Sequence, residues 1–310
     1  MLIDLDTAPA FRPLTGIYEP SAIQQLPDGR FLVVEDEKQH PFSLVTLGSD
    51  GSVSSSPVNL AETDAADTLG KLDDLEGLAL SAAGHIYAIT SHSRNDDGDA
   101  KKSRDKLVRF RIEGNCISEP ALTRGLKAAL IAAHPVLAAA ASVRDVKNDN
   151  GLNIEALEIT PDQQQLLIGF RSPLLDGHAI IAGIENPADI FDGNVAPRPS
   201  ATLTTLDLGG DGIRGMSWIP ALGGYLLISG PVARQQVQFK LWFWSGRRGE
   251  AAMRTGIPGL QGLEHGEGVS PAVIDGEQCI VIVSDDGSRD EGRFARFLLL
   301  PAGQISRAWP

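Results

Sequence analysis

Leu75-Glu76-Gly77-Leu78-Ala79-Leu80-Ser81, the turn Ala82-Ala83-Gly84 and His85-Ile86-Tyr87-Ala88-Ile89-Thr90 together read as a β-hairpin with a glutamate at the head of its first strand. Its significance is that it recurs. Counting eight residues back from the turn glycine Gly84 gives Glu76, and the same count from Gly29 gives Ser21. From Gln163, in Thr160-Pro161-Asp162-Gln163, it gives Glu155. Two further units have a turn about one residue longer. Gly266-Glu267-Gly268-Val269 before Asp275-Gly276 gives Glu267, and Ile213-Arg214-Gly215-Met216-Ser217-Trp218 puts Gly215 or Met216 at that height. Each unit continues with an apolar second strand that ends in polar or charged residues, such as Phe31-Leu32-Val33-Val34 before Glu35-Asp36 and Ile280-Val281-Ile282-Val283 before Ser284-Asp285-Asp286.

Short strands at regular spacing between turn signals indicate an all-β chain. A repeat of a three- or four-stranded unit predicts a β-propeller, whose radial packing leaves only short protected edges. Five units predict five blades, with six left open because Leu60 to Leu72 and Val143 to Leu152 have no assignment. Ala201 to Leu208 is the clearest outer strand, and Leu2 to Leu5 or Ile305 to Trp309 could close the ring. The segment 119–142 is rich in Ala and Leu, a composition that favours helix, with Pro135 ending or kinking it. It reads as a helical insertion between blades of a single propeller domain spanning 1–310.

Bulk composition is consistent with that architecture. The 310 residues are 42% hydrophobic and 22% charged, as in a globular chain able to bury a large core. A formal charge of −13 argues against a broad surface for nucleic acid or anionic membrane. Met1-Leu2-Ile3-Asp4-Leu5-Asp6 carries acids where a signal peptide needs basic residues, and no apolar run reaches a membrane span, so a soluble, cytoplasmic chain is expected. Cys116 and Cys279 lack ligand-like spacing and read as reduced packing residues, like the blade-packing Trp218, Trp242 and Trp244.

In a propeller the innermost strands line the central channel, so Ser21, Glu76, Glu155 and Glu267 are expected to meet near the axis. Two carboxylates about 5 Å apart repel by roughly 3 kcal/mol at an effective dielectric near 20. Three would shift their pKa values upward or hold a cation. Oxygen-only ligands favour a hard ion, calcium before magnesium; the plainer alternative is a hydrated polar channel. His92, Arg94, Arg104, Lys106, Arg171 and Arg214 sit at strand ends or in loops that could face the same mouth. Arg171 and Arg214 adjoin ring strands and would suit the oxygens of a small anionic substrate such as a phosphate. Arg94 and Arg104 could instead pair with Asp96, Asp97, Asp99 and Asp105.

Asp74-Leu75-Glu76-Gly77-Leu78-Ala79 with Ser91-His92-Ser93-Arg94-Asn95, and Asn153-Ile154-Glu155-Ala156-Leu157 with Gly169-Phe170-Arg171-Ser172-Pro173, resemble uncharacterised bacterial propellers related to the esterase-like phytases. Tyr18-Glu19-Pro20-Ser21-Ala22-Ile23 is similar to the first-blade segment of the calcium-activated apyrases, five-bladed propellers with calcium on the axis. That resemblance implies Ser21, Glu76, Glu155 and Glu267 as metal ligands, with Arg214-Gly215 replacing an expected serine. The function expected on these grounds is metal-dependent hydrolysis of phosphate or related esters. The catalytic candidates are Arg171 and Arg214 for developing charge, and His265, before His92, Asp36 or Glu264, as base. A lactonase-like hydrolase and a non-catalytic scaffold are the alternatives.

Overall fold

The computed structural model describes residues 8–36, 40–60, 65–146, 148–233, 239–260, 262–263 and 265–306. These form five four-stranded antiparallel sheets, the blades of a five-bladed β-propeller. Blade 1 comprises Pro20–Gln25, Phe31–Glu35, Phe42–Leu47 and Val53–Pro57; blade 2 comprises Leu75–Leu80, Ile86–Thr90, Leu107–Glu113 and Cys116–Thr123. Blade 3 runs through Asn153–Ile159, Leu166–Ser172, Ala179–Ile184 and Thr204–Leu206, and blade 4 through Gly212–Ile219, Gly224–Gly230, Lys240–Trp244 and Met253–Thr255. Blade 5 takes Gly266–Ile274, Glu277–Ser284 and Arg296–Pro301 from the end of the chain and its outermost strand, Arg12–Pro13, from the beginning.

That last pairing, Arg12 with Phe297 and Pro13 with Arg296, closes the ring. Of the closures expected from sequence, Leu2 to Leu5 and positions 307–309 lie outside the described residues, and Ile305 lies beyond the last strand. Among the described residues no sixth blade occupies the two unassigned stretches, whose described parts hold a short helix, Ala65–Leu69, and a loop leading into blade 3. The insertion forms two helices, Leu126–Ala133 and Pro135–Ser142. It begins later than composition suggested, because Glu119 to Thr123 complete the outer strand of blade 2. Among the described residues no helix is long and apolar enough to cross a membrane.

Alternation of side chains along a strand explains how one blade supports two neighbours. Leu32 and Val34 join Leu75, Leu78 and Ile86 between blades 1 and 2, whereas Phe31 and Val33 join Val281 and Val283 between blades 1 and 5. Similar clusters lie between blades 2 and 3, 3 and 4, and 4 and 5. A second strand flanked on both faces must therefore be apolar along most of its length, and Phe31–Glu35 is buried throughout with only its last residue, Glu35, charged. Cys116 and Cys279 are free thiols.

Candidate functional site

Every innermost strand carries a register shift at the same height. The shifts fall between Pro20 and Ala22, Leu75 and Gly77, Ile154 and Ala156, Ile213 and Gly215, and Gly266 and Gly268. A β-bulge leaves one residue unpaired and re-aims its side chain. Here the five unpaired residues are Ser21, Glu76, Glu155, Arg214 and Glu267, and all five line one cavity of about 680 Å³. The ring predicted from sequence thus forms, with one correction. Blade 4 contributes Arg214, not Gly215 or Met216. Counting nine residues back from the turn glycine Gly223, as Gly276 requires for Glu267, lands on Arg214.

The residue after each bulge is Ala or Gly because neighbouring inner strands converge there. A Cβ on Gly215 would stand 1.8 Å from the Glu267 carbonyl oxygen, and one on Gly77 2.7 Å from the Leu157 nitrogen. Below the ring the channel shrinks to about 10 Å³ between residues such as Leu78, Leu157, Met216 and Val269. That is barely the space of one water probe.

Arginines divide the ring. Arg214 Nη1 lies 3.1 Å from Glu155 Oε2 and 3.0 Å from Glu267 Oε1, and Arg171 Nη1 lies 3.1 Å from Glu155 Oε1. Both guanidiniums are tethered elsewhere. Arg171 Nε donates to the carbonyls of Pro231 and Val232, Arg214 Nη2 donates to that of Pro231, and Arg214 lies 5.1 Å from the Phe239 ring centroid. Glu76 has no cationic partner among the described residues. Burial, reinforced by Asp74, Glu155, Glu267 and Asp36, pushes its carboxyl well above the usual range. Glu267 is raised too, by burial and then by Asp285, with Arg214 opposing. As placed, no three His, Cys, Asp or Glu side chains among the described residues form a group that could hold one metal ion.

Two acids on the cavity wall, Asp36 and Asp285, occupy matching positions just after the second strands of blades 1 and 5. Their backbone N–H groups donate to Glu19 and His265, each two residues before a ring position. Burial and neighbouring acids raise Asp36 to about 6 and Asp285 to about 7. Sequence reading missed Asp285 as a site residue, although its place after Ser284 parallels that of Asp36 after Glu35. It also missed Asn153, whose amide donates to Glu155 Oε1 at 2.8 Å while its own oxygen is buried without a partner.

The histidines and outer cations sit differently from expectation. His92 is 1% exposed, its Nδ1 is 2.8 Å from the Thr90 carbonyl, burial pulls its pKa down, and it does not line the cavity. His265 is exposed, its ring beside Phe239, and is also outside the lining. Lys106 is buried and donates to the carbonyls of Leu69 and Lys71. Arg94 and Arg104 do reach the mouth, where Arg94 donates to Ala141 and Gly98 carbonyls and Arg104 pairs with Asp74 at 2.9 Å and Asp73 at 3.4 Å. Glu264 lies outside the described residues.

Fold and site together define a five-bladed propeller with an acid-rich axial cavity. Residues 129–293, more than half of the chain, match the family model described as "Protein of unknown function (DUF3616)", and the chain belongs to that family. No curated protein matches it. Among solved structures it is similar to a glucose dehydrogenase, at 14% identity over 95% of this chain and 100% of that one with a TM-score of 0.49. A PQQ-bound aldose sugar dehydrogenase from Streptomyces coelicolor gives 14%, 96% and 98% with a TM-score of 0.45. The Malassezia sympodialis allergen Mala s 1 gives 12%, 92% and 79% with 0.42. At these values the similarities assign no substrate or cofactor.

Proposed function

We propose that this propeller is an ester hydrolase working at its axial cavity with a hard divalent cation, calcium before magnesium. The observation that carries this reading is Glu76, a carboxylate enclosed among other acids with no counter-ion among the described residues. The donor chemistry fits a cation on that side of the ring. Glu76, the Ser21 hydroxyl and Asn153 Oδ1, buried without a hydrogen bond, are oxygen ligands of the kind calcium takes. Glu155 and Glu267 are both paired with Arg214, and either would join the set only by turning from it. When bound, the ion would polarise the scissile oxygen and make water more acidic.

The chain's own residues supply the remainder. Arg171 and Arg214 hold Glu155 from both sides and so orient its carboxylate. Asp285, raised to about 7, suits a carboxylate oxygen that takes a proton from water near neutral pH, the role sequence reading gave to His265 before His92, Asp36 or Glu264. The narrowing of the channel beneath the ring confines substrate to one mouth. Resemblance to calcium-activated apyrases and esterase-like phytases agrees with this chemistry.

The test is hydrolysis of p-nitrophenyl phosphate, p-nitrophenyl acetate and a γ-lactone by metal-stripped protein with and without added calcium. We expect calcium-dependent turnover of at least one ester and a loss of about 100-fold or more in Glu76→Gln. Thermal stabilisation by calcium with no ester turned over would reject the hydrolase and leave a scaffold with a structural ion.

A further inference from the structure

At the opposite end of blades 3 and 4 from the ring lies a second cavity, of about 460 Å³, that shares no lining residue with the axial one. One wall is aromatic. Tyr225 and Trp244 pair across neighbouring strands of blade 4, stack with their ring centroids 5.2 Å apart, and are both buried. They belong to the apolar cluster between blades 3 and 4, together with Leu167 and Ile181. On the blade 3 side the lining includes Gly183, which pairs with Leu167 in a strand otherwise made of Ala and Ile. A glycine inside a strand often marks a place of close approach. Here a Cβ would stand 2.7 Å from Ser200 Oγ and 3.1 Å from Gln165 Oε1, so two polar ends converge over the space a side chain would take.

Its polar groups set this cavity apart. Trp244 Nε1 is buried with no hydrogen-bond partner, and an indole N–H is a donor only, costly to leave unanswered. The Tyr225, Ser200 and Thr204 hydroxyls and the Gln165 amide line the cavity and make no side-chain hydrogen bond among the described residues. These four groups both donate and accept, and all are neutral. The charged residues of the lining are Glu185, held by Arg198 at 3.3 Å, and the exposed Arg248. We infer that this cavity binds a neutral polyhydroxylated molecule: a monosaccharide ring or an open-chain polyol of similar size. Ligand hydroxyls, which donate and accept, match side chains that do the same, whereas a carboxylate or phosphate would leave the Gln165 and hydroxyl acceptors unused. The indole N–H supplies one fixed donor to a ligand oxygen, and the aromatic wall offers apolar surface to the ligand's C–H groups. A volume of about 460 Å³ lies within the range of small-molecule sites. This inference rests on neither the axial cation nor ester hydrolysis.

The test follows the indole N–H signal of Trp244 in nuclear magnetic resonance spectra of the isotope-labelled full chain, with the signal assigned through Trp244→Phe. Glucose, galactose, N-acetylglucosamine and sorbitol are titrated in, with glucuronate and adenosine as comparators. We expect at least one neutral hydroxylated probe to move that signal with a Kd of about 10 mM or below. Gly183→Leu, which fills the space over the strand, should abolish the movement. Gln165→Leu should weaken binding about fivefold through one lost hydrogen bond. Movement by a sugar alone assigns a ring and equal movement by sorbitol assigns a polyol; both support the inference. No movement by any of the four neutral probes, tighter binding of glucuronate or adenosine, or binding weakened in neither variant overturns it.

Discussion

The two halves of the axial ring are built by one backbone device and differ only in what it presents. In blades 3, 4 and 5 the bulges carry Glu155, Arg214 and Glu267, and the arginine forms an ion pair with each acid at 3.0 to 3.1 Å. In blades 1 and 2 the same bulges carry Ser21 and Glu76, and nothing among the described residues neutralises the glutamate. The first half carries its cation within the chain; the second leaves negative charge for a proton or a ligand to answer. A propeller can thus keep a stable axis and an unsatisfied site side by side, because each blade sets its own ring residue.

The largest effect is expected from removing the internal cation. Arg214→Met leaves Glu155 and Glu267 facing each other with Arg171 alone, and should lower stability by about 3–5 kcal/mol in calcium-free denaturation. A loss under about 1 kcal/mol would show that the two halves do not differ as described. Next comes the backbone of the paired half. Gly215→Ala drives a Cβ into the Glu267 carbonyl and should cost about 3 kcal/mol, whereas Ala22→Gly on the open side should cost only about 1 kcal/mol.

The smallest effect concerns Glu158, a buried carboxylate below the ring that accepts from Ser217 Oγ and from the Trp218 and Ile159 N–H groups. Burial raises it from the ordinary 4.5 to about 7 against those three donors. The folded protein then keeps a proton that the unfolded chain has released across that interval. Its contribution is full below about pH 4.5 and falls as pH rises towards 7. Glu158→Gln should flatten that slope and cost about 1–2 kcal/mol at acid pH through a mismatched donor. An unchanged slope in pH-dependent denaturation would assign the proton to the ring acids instead.

How far the sequence could be read follows from which features are local. Hairpins announced themselves because apolar second strands such as Ile280 to Val283 are buried on both faces, and turn glycines such as Gly84 punctuate them. Three of the five ring residues, Ser21, Glu76 and Glu155, fell at one fixed distance from the turn. Glu267 needed one residue more, and applying that same allowance to blade 4 would have placed Arg214 on the axis. The small residues after each bulge were a second cue, visible as Ser-Ala, Glu-Gly, Glu-Ala, Arg-Gly and Glu-Gly. His92 and His265 misled because being close in sequence to a ring strand does not fix the direction of a side chain. His92 turns inward against Thr90, and His265 stays outside the cavity lining.

By itself the sequence determined the repeat, a first choice of five blades and the residues at the channel height in four of them, since strand alternation and turn chemistry act over a few positions. Only the tertiary structure decided which charges answer one another. Arg171 and Glu155 are 16 residues apart, Arg214 and Glu267 are 53 apart, and Arg12 pairs with Phe297 across nearly the whole chain. Ion pairing depends on distances of a few ångströms that arise when the ring closes, and no spacing along the chain encodes them.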